Sequence, residues 1–418
     1  MTAAPEAGGR RAGVTLADIR AAAARIASGV VRTPCPESIP LSDLTGSRVW
    51  CKLDLMQRTG SFKERGARNA LELLDAGARA RGVVAASAGN HALGLAWHGK
   101  LLGIPVTVVM PRFAPLVKVA TCRRLGARVI LEGDSFEEAR ARAVDLAASD
   151  GLERIHGFDD PRVIAGQGTM ALEILEDVPD VDAIVVPVGG AGLLAGVAIA
   201  AKAIKPGIRI VAVEPSAGGG LSASLAAGRP VEVPVCPTLA DGLAVGKVGD
   251  LAFALAAPLV DRVVAVDEDL LALAVLRLSE LEKTVVEGAG AAPLAALLGG
   301  ELPELRGARV ALLLCGGNID MATLGRVIDH GLAADGRLWR FTTRVADRPG
   351  GIARLTASIA AAGASVLEIS HERTFAGPDV FSVVVGVTVQ TSDHAHVAAL
   401  RERLQRDGFT IPPRQASA

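Results

Sequence analysis

The sequence predicts an α/β protein with parallel sheets, followed by a small α+β domain. Three observations point there. Short apolar runs recur without polar alternation, which suits strands buried on both faces. Ala/Leu-rich segments of helical length lie between most of them, as parallel crossovers require. After His330 the pattern changes, and the remainder reads strand, helix, strand, strand, helix.

The strand-like runs are residues 49–53, 82–86, 106–109, 127–131, 183–188, 208–213, 263–266 and 310–314, with helical segments such as 114–125 and 135–148 between them. Residues 331–337 are small and polar and are expected to form a linker. Beyond it the expected elements are a strand at 338–345, a helix at 350–362, strands at 365–372 and 380–389, and a helix at 393–406. For the first of these helices Asp347 stands where an N-cap would, Ile352, Leu355 and Ile359 share a face, and Gly363 follows the end. Domains are therefore expected at 1–335 and 336–418.

At 418 residues, 50% of them hydrophobic, the chain can bury a large core. A balance of 44 basic against 45 acidic residues offers no broad field for nucleic acid or an anionic membrane, which favours small, near-neutral partners. Cys35, Cys51, Cys122, Cys236 and Cys315 are scattered without CxxC spacing, so neither a disulfide framework nor a zinc site is expected. Residues 1–14 carry arginines with no apolar run behind them, and no later run reaches membrane-span length. The expected setting is soluble, reducing and cytoplasmic.

Two short segments carry chemistry. Lys63 lies in Gly60-Ser61-Phe62-Lys63-Glu64-Arg65-Gly66-Ala67, and Gly189-Gly190-Ala191-Gly192-Leu193 ends the apolar run at 183–188. An amine condenses with an aldehyde only when unprotonated, so Lys63 needs a desolvated or cationic setting, to which Arg65 is close enough in sequence to contribute. The glycine cluster reads as strand, loop and helix, where backbone N–H groups at the helix start hold a phosphate. Each segment also has a bland reading. A serine-flanked lysine in a loop is usually solvated. Gly190-x-Gly192-x-x-Ala195 also fits a dinucleotide fingerprint, with Glu214 about where a ribose-binding acid would stand, roughly 20 residues on. His394 and His396 do not face one another on a helix and are not expected to bind metal. Glu287 reads equally as an acid near the site or as a helix-initiating or surface group.

Read together, SFKERGARN (61–69), SAGNHALG (87–94), HGFDDPRVIAGQGT (156–169), PVGGAGLLAG (187–196), DGLAV (241–245), EGAGAAPLAAL (287–297) and CGGNID (315–320) resemble the fold-type II pyridoxal-phosphate enzymes. Within them the chain is similar to the threonine dehydratases (threonine ammonia-lyases) over residues 15–330. The resemblance implies a two-lobed, tryptophan synthase β-like catalytic domain with a small lobe at residues 50–165 inserted in the large one. It implies pyridoxal 5′-phosphate as cofactor, bonded through its aldehyde to Lys63, with Phe62 lining the ring and Asn90 at the ring 3′-oxygen. Gly189, Gly190, Ala191, Gly192 and Leu193 would hold the phosphate, and Gly242 would pack near the ring. Ser87, Ala88, Gly89, Asn90 and His91 would form the loop that grips the substrate carboxylate. The implied reaction converts L-threonine to 2-oxobutanoate and ammonia, with L-serine, giving pyruvate, as a secondary substrate.

Cys315 would face the ring nitrogen. Threonine dehydratases usually carry serine there and mammalian-type serine dehydratases cysteine; a neutral thiol is a weak partner that would not keep that nitrogen protonated. Two departures separate the chain from serine racemases. Ala88 stands where racemases place a serine as second acid/base, and Glu214-Pro215-Ser216-Ala217-Gly218-Gly219-Gly220 lacks the acidic ligands of their divalent site, so no metal is expected. A nicotinamide-dependent dehydrogenase would explain the Gly190 loop and Glu214 but leaves SFKERGA, SAGNHALG and CGGN without a purpose. A catalytically dead amino-acid-binding regulator is at odds with an intact Lys63 and phosphate loop.

The C-terminal segment resembles an ACT domain through Asp347-Arg348-Pro349-Gly350 and Gly363-Ala364-Ser365-Val366. Such domains pair their sheets and bind an amino acid near the loop after the first strand. The resemblance implies an effector site at Asp347, Arg348, Pro349, Gly350 and Gly351, a ferredoxin-like fold, and a homo-oligomer, dimer or tetramer.

Overall fold

The computed structural model describes residues 13–372 and 381–412. The arginine-bearing start of the chain, and residue 380 of the expected strand, lie outside the described residues. Contacts divide the chain into a unit ending at Asp320 and one beginning at Met321.

The first unit carries β1 (Glu37–Ser38), β2 (Arg48–Lys52), β3 (Val83–Ala86), β4 (Val106–Met110), β5 (Arg128–Leu131), β6 (Glu153–Arg154), β7 (Ala183–Pro187), β8 (Arg209–Pro215), β9 (Arg262–Val266) and β10 (Arg309–Leu313). Every expected strand is present. The two additions, β1 and β6, are two residues each, too short to show a pattern in a sequence. Two sheets form, ordered β1-β2-β10-β7-β8-β9 and β5-β4-β3-β6. All pairings are parallel except β1 with β2.

Helices on both faces explain the unbroken apolar runs: all five residues of β4 and of β7 are buried. In the larger sheet Ile184, Val186, Ile210, Ala212 and Leu313 share a core with Leu194 and Val197. In the smaller, Val83, Ala85, Val108 and Met110 pack with Ala67, Leu71 and Leu95. Each fully buried Val, Leu, Ile or Met side chain among these contributes about 1.5–3 kcal/mol. Parallel strands end on a common edge, so the loops after β3, β7 and β10 open at carboxyl ends, where open α/β sheets bind ligands. β3 leads to the helix Asn90–Leu102 and β7 to the helix Gly192–Ile204.

The second unit opens with the helix Met321–Ala334, which packs on the strand after it, β11 (Leu338–Ala346). Two expectations change here. The unit starts at Met321 instead of 336, and the small residues at 331–334 close a helix instead of forming a linker; Gly331 is buried along with Leu324 and Val327. The helix Gly351–Ala361, β12 (Ser365–Glu372), β13 (Ser382–Gln390) and the helix His394–Arg406 follow, in an antiparallel sheet ordered β11-β13-β12. This α+β, ferredoxin-like arrangement has three strands among the described residues. β11 alternates, sending Trp339, Phe341 and Val345 into a core with Val383, Val385, Val387 and Val389.

Asp347 is not the N-cap of its helix. Gly350 holds that position in a left-handed conformation at φ 88°, and the Asp347 N–H donates to the Phe381 carbonyl at 2.9 Å. Leu355 and Ile359 are buried as expected, while Ile352 stays partly exposed. No helix among the described residues is long and apolar enough to cross a membrane.

Candidate active site

Lys63 opens the helix Lys63–Glu72. Its Nζ donates to the Gly157 carbonyl at 2.7 Å and lies 5.1 Å from the centre of the Phe62 ring. Part of the side chain borders open space, but protein closes around the amine. That desolvation lowers its pKa from 10.5 to about 8, against the opposing pull of Cys315 and Glu287.

Arg65 takes no part in that shift. Its guanidinium donates to Asp54 at 2.8 and 2.7 Å and to Glu173 at 2.6 and 2.8 Å, with Thr169 at 3.1 Å. Lys52 joins the cluster, 2.6 Å from Glu173. The two carboxylates neutralise Arg65 and pin the Lys63 helix to the helix Pro161–Asp177, so of the two expected settings, desolvated or cationic, it is desolvation that acts on Lys63.

After β7 the chain turns through Gly189, Gly190 and Ala191 into the helix Gly192–Ile204. Ala191, the N-cap, sits at φ 68° and supplies no side-chain cap, so the N–H groups of the first turn have no side-chain acceptor there. A Cβ at Gly190 would collide with the Phe158 ring. Since Gly157, which holds the Lys63 amine, immediately precedes Phe158, the amine and the glycine turn are joined through two consecutive residues. Gly189 lies against the short 3-10 helix Asp241–Leu243, where a Cβ would come 3.1 Å from the Gly242 oxygen.

After β3, Ser87, Ala88 and Gly89 lead into the helix Asn90–Leu102, whose N-cap, Gly89, again gives no side-chain cap. The Ser87 hydroxyl accepts from Gly89 N and Ala92 N, both at 3.3 Å, and so stiffens the turn. Asn90 Nδ2 donates to Glu287 Oε1 at 2.8 Å, and Asn90 Oδ1 accepts from Asn318 Nδ2 at 2.9 Å. The His91 ring is buried, with Nε2 3.3 Å from the Ile155 carbonyl. Burial, and then the Lys63 charge, push its pKa down to about 3, so the ring is neutral.

The Phe62 N–H donates to the Cys315 carbonyl at 2.9 Å. Burial, then the Glu287 carboxyl, raise the Cys315 thiol far above its usual range, so it stays protonated. Glu287 is neither a surface acid nor solvated: it is 5% exposed at the N-cap of the helix Gly288–Leu298, and burial with Asp241 nearby pushes it up to about 7. Lys63, Phe62, the glycine turn, Gly242, Asn90 and Cys315 thus form one continuous set of contacts. Gly157, Phe158 and Asn318 were not singled out beforehand, although they lie within the HGFDDPRVIAGQGT and CGGNID segments.

Glu214 is engaged within the fold. Its carboxylate accepts from Leu221 N at 2.9 Å and Ser222 N at 3.1 Å, capping the helix Gly220–Ala227, which removes the acid that a dinucleotide site would need. His394 and His396 each bond a backbone carbonyl, of Ala334 and Ala362, at 2.9 Å.

The family model "Pyridoxal-phosphate dependent enzyme" matches residues 26–316. The chain belongs to that family. An L-threonine ammonia-lyase from Thermotoga maritima is 44% identical over 398 residues, 95% of this chain and 99% of that protein. Among solved structures, the processed form of threonine deaminase isoform 2 from Solanum lycopersicum gives a TM-score of 0.72 at 34% identity, covering 78% of this chain and 93% of its own. Maize serine racemase gives 0.73 at 38% identity, covering 77% and 98%. The residues fit the cofactor of the family: an enclosed amine of lowered pKa, an uncapped helix start behind glycines that let a phosphate approach, and a neutral thiol.

Proposed function

We infer that the chain is a pyridoxal-phosphate dependent threonine ammonia-lyase that converts L-threonine to 2-oxobutanoate and ammonia, with L-serine, giving pyruvate, as a secondary substrate. One observation carries the reading: the Lys63 amine and the glycine turn meet through Gly157 and Phe158. The near full-length similarity to an L-threonine ammonia-lyase supports the substrate.

Lys63 would hold the cofactor, Phe62 would line its ring, Asn90 would donate to the ring 3′-oxygen, Gly242 would pack near the ring and Cys315 would meet its nitrogen. Gly189 to Leu193 would hold the phosphate. The loop from Ser87 to His91 takes the substrate carboxylate at the start of the Asn90 helix, where backbone donors and the helix dipole favour an anion. Bound there, the cofactor supplies an aldehyde that bonds to amino groups and a ring that draws electrons from the α-carbon. Lys63 handles the proton: with a pKa near 8, a usable fraction of its amine is neutral at neutral pH and can take the α-proton. The thiol of Cys315 brings no charge to the ring nitrogen.

The likeness to serine racemase favours a second reading, racemisation of serine. Ala88 argues against it, because a methyl group offers no acid or base on the opposite face of the substrate.

For the C-terminal unit we propose an ACT domain that binds a branched-chain or related amino acid. Asp347, Arg348, Pro349, Gly350 and Gly351 border a cavity of about 410 Å³ together with Ile352, His371 and Val383. The helix start at Gly351 has no side-chain cap and suits a carboxylate, Asp347 suits an ammonium, and Ile352 with Val383 suits an aliphatic side chain. We also propose a homo-oligomer, supported by the edge strand β12, exposed along its whole length with Val366, Leu367 and Ile369 on it. A cytoplasmic setting is in keeping with five free cysteines. The test is keto-acid release from threonine and serine, with Lys63→Ala as the inactive control.

A further inference from the structure

Three polar side chains around the site form a chain whose orientation is fixed at both ends. Asn318 Nδ2 donates to the Thr59 carbonyl at 2.6 Å and to Asn90 Oδ1 at 2.9 Å, which uses both of its hydrogens. A backbone carbonyl can only accept, so the Asn318 amide cannot flip. Asn90 must then turn its oxygen to Asn318 and its nitrogen to Glu287 Oε1, 2.8 Å away. One Asn90 N–H remains unused by this chain.

Glu287 is an expensive residue for this place. Burial pushes its carboxyl up to about 7, with Asp241 adding to the shift and Lys118 and Asn90 offsetting it. Lys63 and Cys315 also face it. A glutamine would avoid the buried charge. An ionised carboxylate only accepts, and it strengthens the hydrogen bond from Asn90 by its charge, which a neutral glutamine amide cannot do. One glycine makes room for the acid: a Cβ at Gly316 would collide with Glu287 Oε1.

We propose that Glu287 is a positioning residue that, by accepting one N–H of Asn90, commits the other N–H to the cofactor ring, so that the site selects a ring 3′-oxygen that accepts, the ionised form, over one that donates. The proposal rests on the reading that Asn90 meets that oxygen. With Asn318 on the amide oxygen and Glu287 on one N–H, the group that Asn90 has free for the ring is its second N–H, a donor.

The test compares the holoprotein with Glu287→Gln, Glu287→Asp, Asn90→Ala and the double variant Glu287→Gln/Asn90→Ala. Pyridoxal phosphate affinity is read by fluorescence, and the absorption of the bound cofactor is followed across pH. Glu287→Gln is expected to bind the cofactor about tenfold more weakly, the order of one lost charge-assisted hydrogen bond. It should still be trapped on Lys63 by borohydride, and the pH dependence of its absorption should differ from the parent's. Glu287→Asp should recover most of the affinity. The double variant should bind no more weakly than Asn90→Ala, because Glu287 acts through Asn90. Unchanged affinity and spectrum in Glu287→Gln, or losses that add in the double variant, would overturn the proposal. Should Glu287→Gln not fold, Asn318→Ala frees the other end of the chain and must produce the same pH-dependent spectrum. Absence of any trapping on Lys63 in the parent would instead overturn the function on which the proposal rests.

Discussion

The Lys63 amine donates to the Gly157 carbonyl at 2.7 Å, and the next residue, Phe158, fills the space that a side chain at Gly190 would need. A single dipeptide therefore sets the separation between the Lys63 amine and the glycine turn. Because Gly157 and Phe158 precede the helix Pro161–Asp177, which is tied to the Lys63 helix through Arg65 and Glu173, that separation is held by rigid elements on both sides.

Cofactor capture by the apoprotein should follow Lys63. Only the neutral amine attacks an aldehyde, so the capture rate should rise with pH around a midpoint of about 8, well below the 10.5 of an ordinary lysine. Stability should follow the same group. The folded pKa lies below the unfolded one, so between pH 8 and 10.5 the unfolded chain binds the additional proton and stability rises with pH. Apoprotein Lys63→Met should therefore exceed the parent by about 3 kcal/mol below pH 8, with the gap closing above 10.5, in denaturant unfolding.

Gly190→Ala should loosen the cradle. The added methyl meets the Phe158 ring, and relief requires either the ring or the turn to shift, at about 1–3 kcal/mol. Weaker cofactor binding in equilibrium dialysis is expected, with the trapped lysine still Lys63.

Arg65→Met leaves Asp54 and Glu173 without their main partner, so unfolding should become easier by about 3–5 kcal/mol at neutral pH. Burial alone would raise Asp54, and Arg65, helped by Thr33 and Lys52, more than reverses it, leaving its pKa below the usual 3.8. The parent therefore draws stability from Asp54 above that value and loses it as pH falls through the folded pKa. In the variant, acid relieves the buried charge. The gap between the two proteins should narrow on acidification, as read by urea midpoints.

Ile352→Trp should fill part of the cavity beside Asp347 and Gly350. Threonine turnover without effector should match the parent, while any response to isoleucine or valine should weaken at least severalfold in a dose-response assay.

The strands of the first unit were legible because burial on both faces leaves uninterrupted runs such as AIVVP at β7 and VTVVM at β4. Lys63 and the glycine turn stood out because their neighbours in sequence are also their neighbours in the site. Partnerships across the fold were not legible. Nothing near Arg65 in the sequence announces that Glu173 takes its charge, and nothing near Asn90 announces Glu287 and Asn318. Locally sound rules also lost to tertiary packing: Asp347 was a good N-cap by type, yet Gly350 reaches the left-handed conformation that the turn requires. Gly331 resembled linker composition but is buried in a helix.

The central claim is tested most directly by loading the protein with pyridoxal phosphate, reducing with borohydride, locating the label by peptide mass spectrometry, and assaying threonine deamination before and after. The account predicts the label on Lys63, with 2-oxobutanoate and ammonia formed before reduction and none after. Label on another lysine, or undiminished threonine turnover once Lys63 is modified, would contradict it.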